Sequence, residues 1–187
     1  MRELVYLVAV SLDGQIAGPD GDVTAFPMVG QHIDMIISDY RETLPAVALQ
    51  AMGLEVEPKH FDTVLMGWGT YEAGLVQGVD DPYPHLRQHV FTRSAKAVPE
   101  GIEVSNDPAS VVRRLKQEPG KGIWLCGGGQ LASTVVDQID RLVLKVNPIV
   151  LGQGTPLFSH GYAPQQFALT GSRTYSSGVV VNEYERR

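Results

Sequence analysis

The chain has 187 residues and a formal charge of −6, with 43% hydrophobic and 19% charged residues, which fits one globular domain with a sizeable core. Its 15 basic and 21 acidic residues form no basic arm or stripe, so nucleic acid is not the expected partner, while a locally positive pocket for a small anion remains compatible with the overall charge. The apolar run Leu4 to Val10 is too short to span a bilayer and lacks the cleavage pattern of a signal peptide, so no membrane is expected and the cytoplasm is the expected compartment.

Leu4 to Leu12 is apolar and β-branched on both parities, the pattern of a strand covered on both faces, and it ends at the turn pair Asp13-Gly14. A loop rich in glycine and proline follows, and then two helical stretches over 30–44 and 45–54. In the first of them Ile33, Ile36, Ile37 and Tyr40 recur at three and four residues. Thr63 to Met66 reads as a short strand, followed by a helix over 69–76 with Thr70 as its expected N-cap. Further strands are expected over 88–94 and 101–106. A helix over 107–118 comes next, with Asp107 as cap and Pro108 at its first position.

The strand over 122–129 leads into a helix over 130–138, and residues 140–152 read as one long strand. Gly154 to Phe158 turns into an edge segment. The end of the chain suggests a hairpin with Ser177-Gly178 in its turn. Strands alternating with helices predict an α/β fold, a three-layer sandwich around a central mixed, mostly parallel sheet with an antiparallel C-terminal edge hairpin. No repeat or linker divides residues 1–187, which read as a single domain.

Three segments place glycine or small polar residues directly after a buried strand: Gly67-Trp68-Gly69-Thr70, Thr92-Arg93-Ser94 and Gly127-Gly128-Gly129. In an open α/β sheet, loops at the carboxyl ends of parallel strands can aim backbone N–H groups at a phosphate, and glycine permits the close approach. A tight structural turn is the alternative at each. The triple glycine is not the full dinucleotide fingerprint, because Ala132 stands at its last position, and no lysine completes a P-loop. Arg93, flanked by two hydroxyls, suits a phosphomonoester. The single cysteine, Cys126, offers neither a disulfide nor a zinc cluster, so no metal is expected and Cys126 reads as core.

The stretches "VSLDGQIAG", "VLMGWGTYE", "HVFTRS", "IWLCGGGQLAS" and "NPIVLGQGTPLF" resemble, in this order, the dihydrofolate reductase-like superfamily. The nearer likeness is to the branch of the C-terminal reductase domain of the bifunctional bacterial riboflavin biosynthesis deaminase/reductase. The resemblance implies a sheet of about eight strands, a homodimer, NADPH (NADP) as cofactor and hydride transfer to a small unsaturated substrate, as in a 5-amino-6-(5-phosphoribosylamino)uracil reductase. It implies that Ala9 and Ile16 border the nicotinamide and that Gly67, Trp68 and Thr70 lie at the pyrophosphate. It further implies that Thr92, Arg93 and Ser94 line the adenosine-phosphate pocket, and that Gly127, Gly128, Gly129, Gln130 and Leu131 form the second phosphate-binding turn.

Trp68 stands where dihydrofolate reductases carry a basic residue, and Arg93 could compensate. Ala132 stands where many carry an aromatic side chain beside the nicotinamide, which would leave room for a substrate other than folate. Asp13, Asp34 and Tyr71 are the candidate proton donors, with Asp39 a second helix carboxylate; Asp13 could equally form the turn. Lys145 interrupts an apolar strand and either enters the substrate pocket or snorkels to solvent. Two alternatives stand beside the reductase: a non-catalytic nucleotide-binding or scaffold protein on the same fold, and a true dihydrofolate reductase.

Overall fold

The computed structural model describes residues 1–159 and 161–187. In chain order its elements are β1 (Leu4–Val10), β2 (Gln15–Ala17), α1 (Gln31–Asp39), α2 (Ala46–Met52), β3 (Phe61–Gly67), α3 (Trp68–Val76), β4 (Arg87–Phe91) and β5 (Ile102–Ser105). Then come α4 (Pro108–Gln117), β6 (Gly122–Gly127), α5 (Gly129–Thr134), β7 (Arg141–Val146), β8 (Thr155–Pro156), β9 (Phe167–Thr174) and β10 (Val180–Arg186). One eight-stranded sheet runs β5-β4-β3-β6-β1-β7-β10-β9, and β2 pairs with β8 in a small second sheet. The first six strands of the large sheet are mutually parallel, while β10 and β9 are antiparallel. All six parallel strands therefore end on one side of the molecule.

Alternation along these strands feeds two cores. Leu4, Tyr6, Leu65, Ile123 and Leu125 face α4 and α5, where Val112, Leu115, Leu131, Ala132 and Val135 complete one cluster. Val5, Leu7, Val64, Met66 and Trp124 face the other way, toward Met35 of α1 and Tyr71 of α3. The result is the expected three-layer sandwich, a mixed and mostly parallel sheet with its antiparallel pair at one edge. Among the described residues no helix is long and apolar enough to cross a membrane.

Several local expectations change. The helix over 30–44 stops at Asp39 and continues only as a 3₁₀ turn, Arg41–Thr43. The helix at Gly67-Trp68-Gly69-Thr70 begins at Trp68, one residue before the expected 69–76, and its N-cap is Gly67, so Thr70 lies within the first turn instead of capping it. Asp107 does cap α4, accepting a hydrogen bond from the Ser110 N–H at 3.1 Å. The long strand expected over 140–152 ends at Val146, because Asn147 folds back: its side-chain amide donates to the Val10 and Lys145 carbonyls. α5 ends at Thr134 and is followed by a 3₁₀ turn, Val136–Gln138. The hairpin turn falls at Ser177-Gly178, with Gly178 at φ 79°.

Candidate nucleotide cradle at the carboxyl ends of the strands

Parallel pairing sets Met66 of β3 beside Gly127 of β6 and Gly67 beside Phe91 of β4, so the three glycine or hydroxyl-rich segments begin at neighbouring strand ends. The approach is close. A Cβ at Gly67 would sit 3.6 Å from both the Gly127 oxygen and the Gly128 nitrogen, and 3.8 Å from Leu131 Cβ. A Cβ at Gly127 would lie 3.7 Å from Thr70 Oγ1, and one at Gly128 would lie 3.8 Å from the same oxygen and 4.0 Å from Ile16 Cδ1. Gly127 has φ 142°, which favours glycine, and its peptide bond to Gly128 is cis. Gly67, Thr70, Gly127, Gly128, Leu131 and Ile16 thus surround one small volume.

Gly69 differs, because a Cβ there would meet nothing within 4 Å; the first turn of α3 is open on that side. In α5 the first intrahelical bond runs from the Ala132 N–H to the carbonyl of the N-cap Gly128 at 3.0 Å. The N–H groups of Gly129 and Gln130 precede it and, as at any helix start, need partners from outside the helix.

Loop 92–98 closes the third side. The Thr92 hydroxyl accepts a hydrogen bond from the Ser94 N–H at 3.2 Å, and Arg93 is exposed with no hydrogen bond or ion pair among the described residues. Lys96, which sequence reasoning missed, holds its ammonium 4.8 Å from the centre of the Trp68 ring. A cation therefore does stand beside Trp68, supplied from another loop. Nothing in the sequence pattern could pair two residues so far apart in an aperiodic loop. The Trp68 indole N–H is buried and has no hydrogen-bond partner among the described residues, and its ring meets Tyr71 edge-on at 5.6 Å.

On the other side of the cradle β1, β7 and β10 align Ala9, Lys145 and Val181 in register. Lys145 is half-buried and has no hydrogen-bond or ion-pair partner among the described residues, and burial pushes its ammonium below the ordinary lysine range.

Other expected site residues are placed elsewhere. Ala132, expected at the substrate pocket, is fully buried between α5 and the sheet, so its side chain offers no exposed surface to a substrate. Leu131 is also mainly core, and only its Cβ borders the cradle, beside Gly67. Gly129 lacks a side chain for an internal reason, since a Cβ would overlap the Pro156 carbonyl oxygen. The buried Tyr71 hydroxyl donates to the Asp80 carbonyl at 2.6 Å, and burial raises its pKa, both of which disfavour proton transfer. The Asp13 carboxylate accepts from the Ser11 hydroxyl at 2.6 Å and from the Leu151 and Gly152 N–H groups at 3.1 and 2.7 Å. Those bonds, the Ser11 one foremost, hold its pKa down at about 2 and clamp the β7–β8 loop onto the turn after β1.

Asp34 is exposed on α1, whereas Asp39 pairs with Arg173 and Lys59. Gln130 is exposed at the start of α5. Cys126 is in the core, with burial pushing its thiol up to about 12. Two cavities of about 230 and 320 Å³ share Tyr40 and His60; neither is lined by Gly67, Thr70, Gly127 or Gly128, and the larger is lined by Val181, the register neighbour of Lys145.

The family model for the RibD C-terminal domain matches residues 2–181. The chain is 32% identical over 185 residues to the uncharacterized protein YwjB of Bacillus subtilis (strain 168), covering 97% of each chain. It is 29% identical over 197 residues to YyaP of the same organism, covering 96% of this chain and 92% of YyaP. Among solved structures, a Shewanella sp. PV-4 protein named for riboflavin biosynthesis superposes with a TM-score of 0.74 at 22% identity, over 99% of both chains. The Thermotoga maritima diaminohydroxyphosphoribosylaminopyrimidine deaminase/5-amino-6-(5-phosphoribosylamino)uracil reductase gives 0.67 at 18% identity, with this chain spanning 57% of it. At these identities the two structures share the fold.

Proposed function

The chain belongs to the RibD C-terminal domain family, and from that premise we propose that it is an NADPH-dependent reductase of a small unsaturated substrate. One observation carries the reading: Gly67 to Thr70, Gly127-Gly128 and the loop from Thr92 to Lys96 converge at adjacent carboxyl ends of parallel strands. A dinucleotide bound there is the natural occupant of such a crevice.

The residues present fit that group. The glycines leave space that any side chain would fill, Gly69 leaves the first turn of α3 open, and Trp68 carries an orphaned indole donor. Backbone N–H groups at the starts of α3 and α5, with the Thr70 hydroxyl, would hold the pyrophosphate. Arg93 and Lys96, with Thr92 and Ser94, would hold the phosphate that distinguishes NADP from NAD. Ala9 and Ile16 would flank the nicotinamide, which when bound supplies hydride. The protein's share is orientation and exclusion of water.

Addition of NADPH should raise the thermal midpoint and quench tryptophan fluorescence, because Trp68 lies in the cradle, and NADH should do so far less. Equal responses to both would remove the NADP preference. No response to either at millimolar concentration would end the reductase reading. The family likeness also carries the expectation of a homodimer, which light scattering reads directly.

A second reading, a nucleotide-binding protein without turnover, is favoured by one observation. Of the three candidate acids, Tyr71 and Asp13 are committed to internal hydrogen bonds, which leaves Asp34 and water. NADPH oxidation across pterins, ribosylamino-pyrimidines and small ketones separates the two: binding without oxidation by any of them supports the second.

A further inference from the structure

The protein has five lysines, and four of them are accounted for within the structure. Lys59 lies 4.0 Å from Asp39, and Lys96 sits over Trp68. Lys116 binds Asp140 at 2.6 Å and donates to the Gln138 carbonyl at 2.8 Å, and Lys121 donates to the Pro58 carbonyl. Lys145 alone has no hydrogen bond, ion pair or ring partner among the described residues, yet it is half-buried in the strand RLVLKV. A cation held partly out of water without a partner costs stability, and methionine would fill the same strand position without that cost.

The elements around Lys145 supply no counter-charge. Its register neighbours are Ala9 and Val181. On β10, Glu183 is taken by Arg141 at 2.9 Å. At the edge of the sheet, Arg173 pairs with Asp39. On α1, the buried His32 ring is held between the Ser177 hydroxyl and the Pro27 carbonyl, each at 3.1 Å, and Asp34 is exposed. The backbone beneath Lys145 is fixed, because the Asn147 amide holds its carbonyl at 2.8 Å. This is an unpaired amine on a fixed stretch of backbone, at the carboxyl end of the last of the parallel strands and one strand away from the position assigned to the nicotinamide.

We propose that Lys145 is the substrate-side cation of this site: its ammonium takes by hydrogen bond a substrate oxygen that carries, or gains on reduction, a negative charge. The inference rests on the reductase reading above and narrows its substrate class to planar conjugated carbonyl compounds. In such a substrate a new C–H bond forms at a conjugated carbon as hydride is accepted, a π bond breaks, and its electron pair moves to the carbonyl oxygen. Lys145 meets that charge, and water supplies the proton that completes the reduction. Burial lowers the ammonium's pKa, which makes it the stronger hydrogen-bond donor.

The test compares two flat pyrimidines by calorimetry on the protein saturated with NADP⁺: barbiturate, whose oxygen is anionic at neutral pH, and neutral uracil. The expected result is that barbiturate binds at least about tenfold more tightly, the worth of one charge-assisted hydrogen bond. Lys145→Met should abolish that preference while leaving NADP⁺ affinity unchanged and the thermal midpoint equal or higher. In the wild-type protein, acetylation of Lys145 followed by mass spectrometry should be slowed by barbiturate and not by uracil, a reading that does not depend on how the variant folds. An unchanged barbiturate preference in the variant, or a wild-type complex with NADP⁺ that does not favour barbiturate, overturns the inference and leaves the reductase reading standing. A protein that fails to bind NADP⁺ overturns both.

Discussion

The two ends of the parallel sheet treat charge in opposite ways. At the amino end, nearly every charged side chain is spent inside the protein. Arg2 pairs with Asp62 and donates to Thr63, and Lys116 pairs with Asp140, whose carboxylate also accepts from the Leu4 N–H. Arg141 bridges to Glu183, and Arg87 and Arg114 share Glu103 and Glu118. At the carboxyl end Arg93 and Lys145 have no partner among the described residues, and Lys96 has only an aromatic ring. Paired charge fixes strand ends in place, whereas unpaired charge beside open backbone is arranged for something that arrives from outside. The amino end should therefore answer to stability measurements and the carboxyl end to ligand measurements.

The strongest test of that division is Asp62→Ala. It would leave the Arg2 guanidinium buried without its carboxylate and would strip the Lys121 N–H of its 2.7 Å acceptor. Arg2 would keep the Lys121 carbonyl and the Thr63 hydroxyl, and Asp62 is partly exposed, so the cost is about 3 kcal/mol, the low end for a broken buried pair, read as a lower urea midpoint. NADPH affinity of the folded fraction should not change. A large loss of affinity would mean that the two ends are coupled.

Next in size is an acid effect, also at the amino half. The His89 ring is almost fully buried, its Nε2 has no partner among the described residues, and burial pushes its pKa down to about 4, against the opposing pull of Glu103. The unfolded chain binds this proton near its ordinary value, so the folded state loses stability as pH falls from about 6.5 to about 4 and loses no more from this group below that. The expected drop is about 3 kcal/mol at most, and His89→Leu should flatten this part of the pH–stability curve. A variant with an unchanged profile would place the acid sensitivity elsewhere.

At the carboxyl end, Arg93→Ala and Lys96→Ala should each weaken NADPH binding by about tenfold, leave NADH binding nearly untouched and shift the unfolding midpoint little. If both nucleotides weaken equally, the two cations contact the shared pyrophosphate instead of the distinguishing phosphate.

The same division explains how much the sequence could tell. Strand and helix order, the antiparallel hairpin and the Asp107 cap follow from local periodicity and turn chemistry, which lie within a few residues of one another. So do the three glycine and hydroxyl segments. What failed was decided by contacts between distant residues. Asn147 reaches back to Val10 and ends β7 early, and Lys96 finds Trp68. Ala132, which looks like a gap beside a cofactor, is sealed beneath α5 by Leu125, Leu131 and Val135. Asp13 fits a turn motif and a site motif equally well in sequence, and the Leu151 and Gly152 N–H groups show the turn in use.

A small change, of one methyl group, is the most discriminating between structural and functional glycine. Gly129 and Gly69 belong to the two helix starts of the cradle, but for different reasons. At Gly129 a Cβ would overlap the Pro156 carbonyl, so an alanine there should damage the fold whether or not anything binds. At Gly69 a Cβ meets nothing, and the residue lies within α3. Gly69→Ala should therefore stabilise the free protein by about 0.5–1 kcal/mol, through helix propensity and a less flexible unfolded chain. A methyl group placed in that open space would nonetheless crowd a phosphate approaching the first turn of α3, so the same variant should bind NADPH less tightly. A protein made more stable and a ligand bound more weakly, from one methyl group, would mark the space above Gly69 as kept open for a ligand. If Gly69→Ala is more stable and binds NADPH as well as the parent does, the pyrophosphate does not lie on α3, and the cradle is reduced to Gly127-Gly128 and the start of α5.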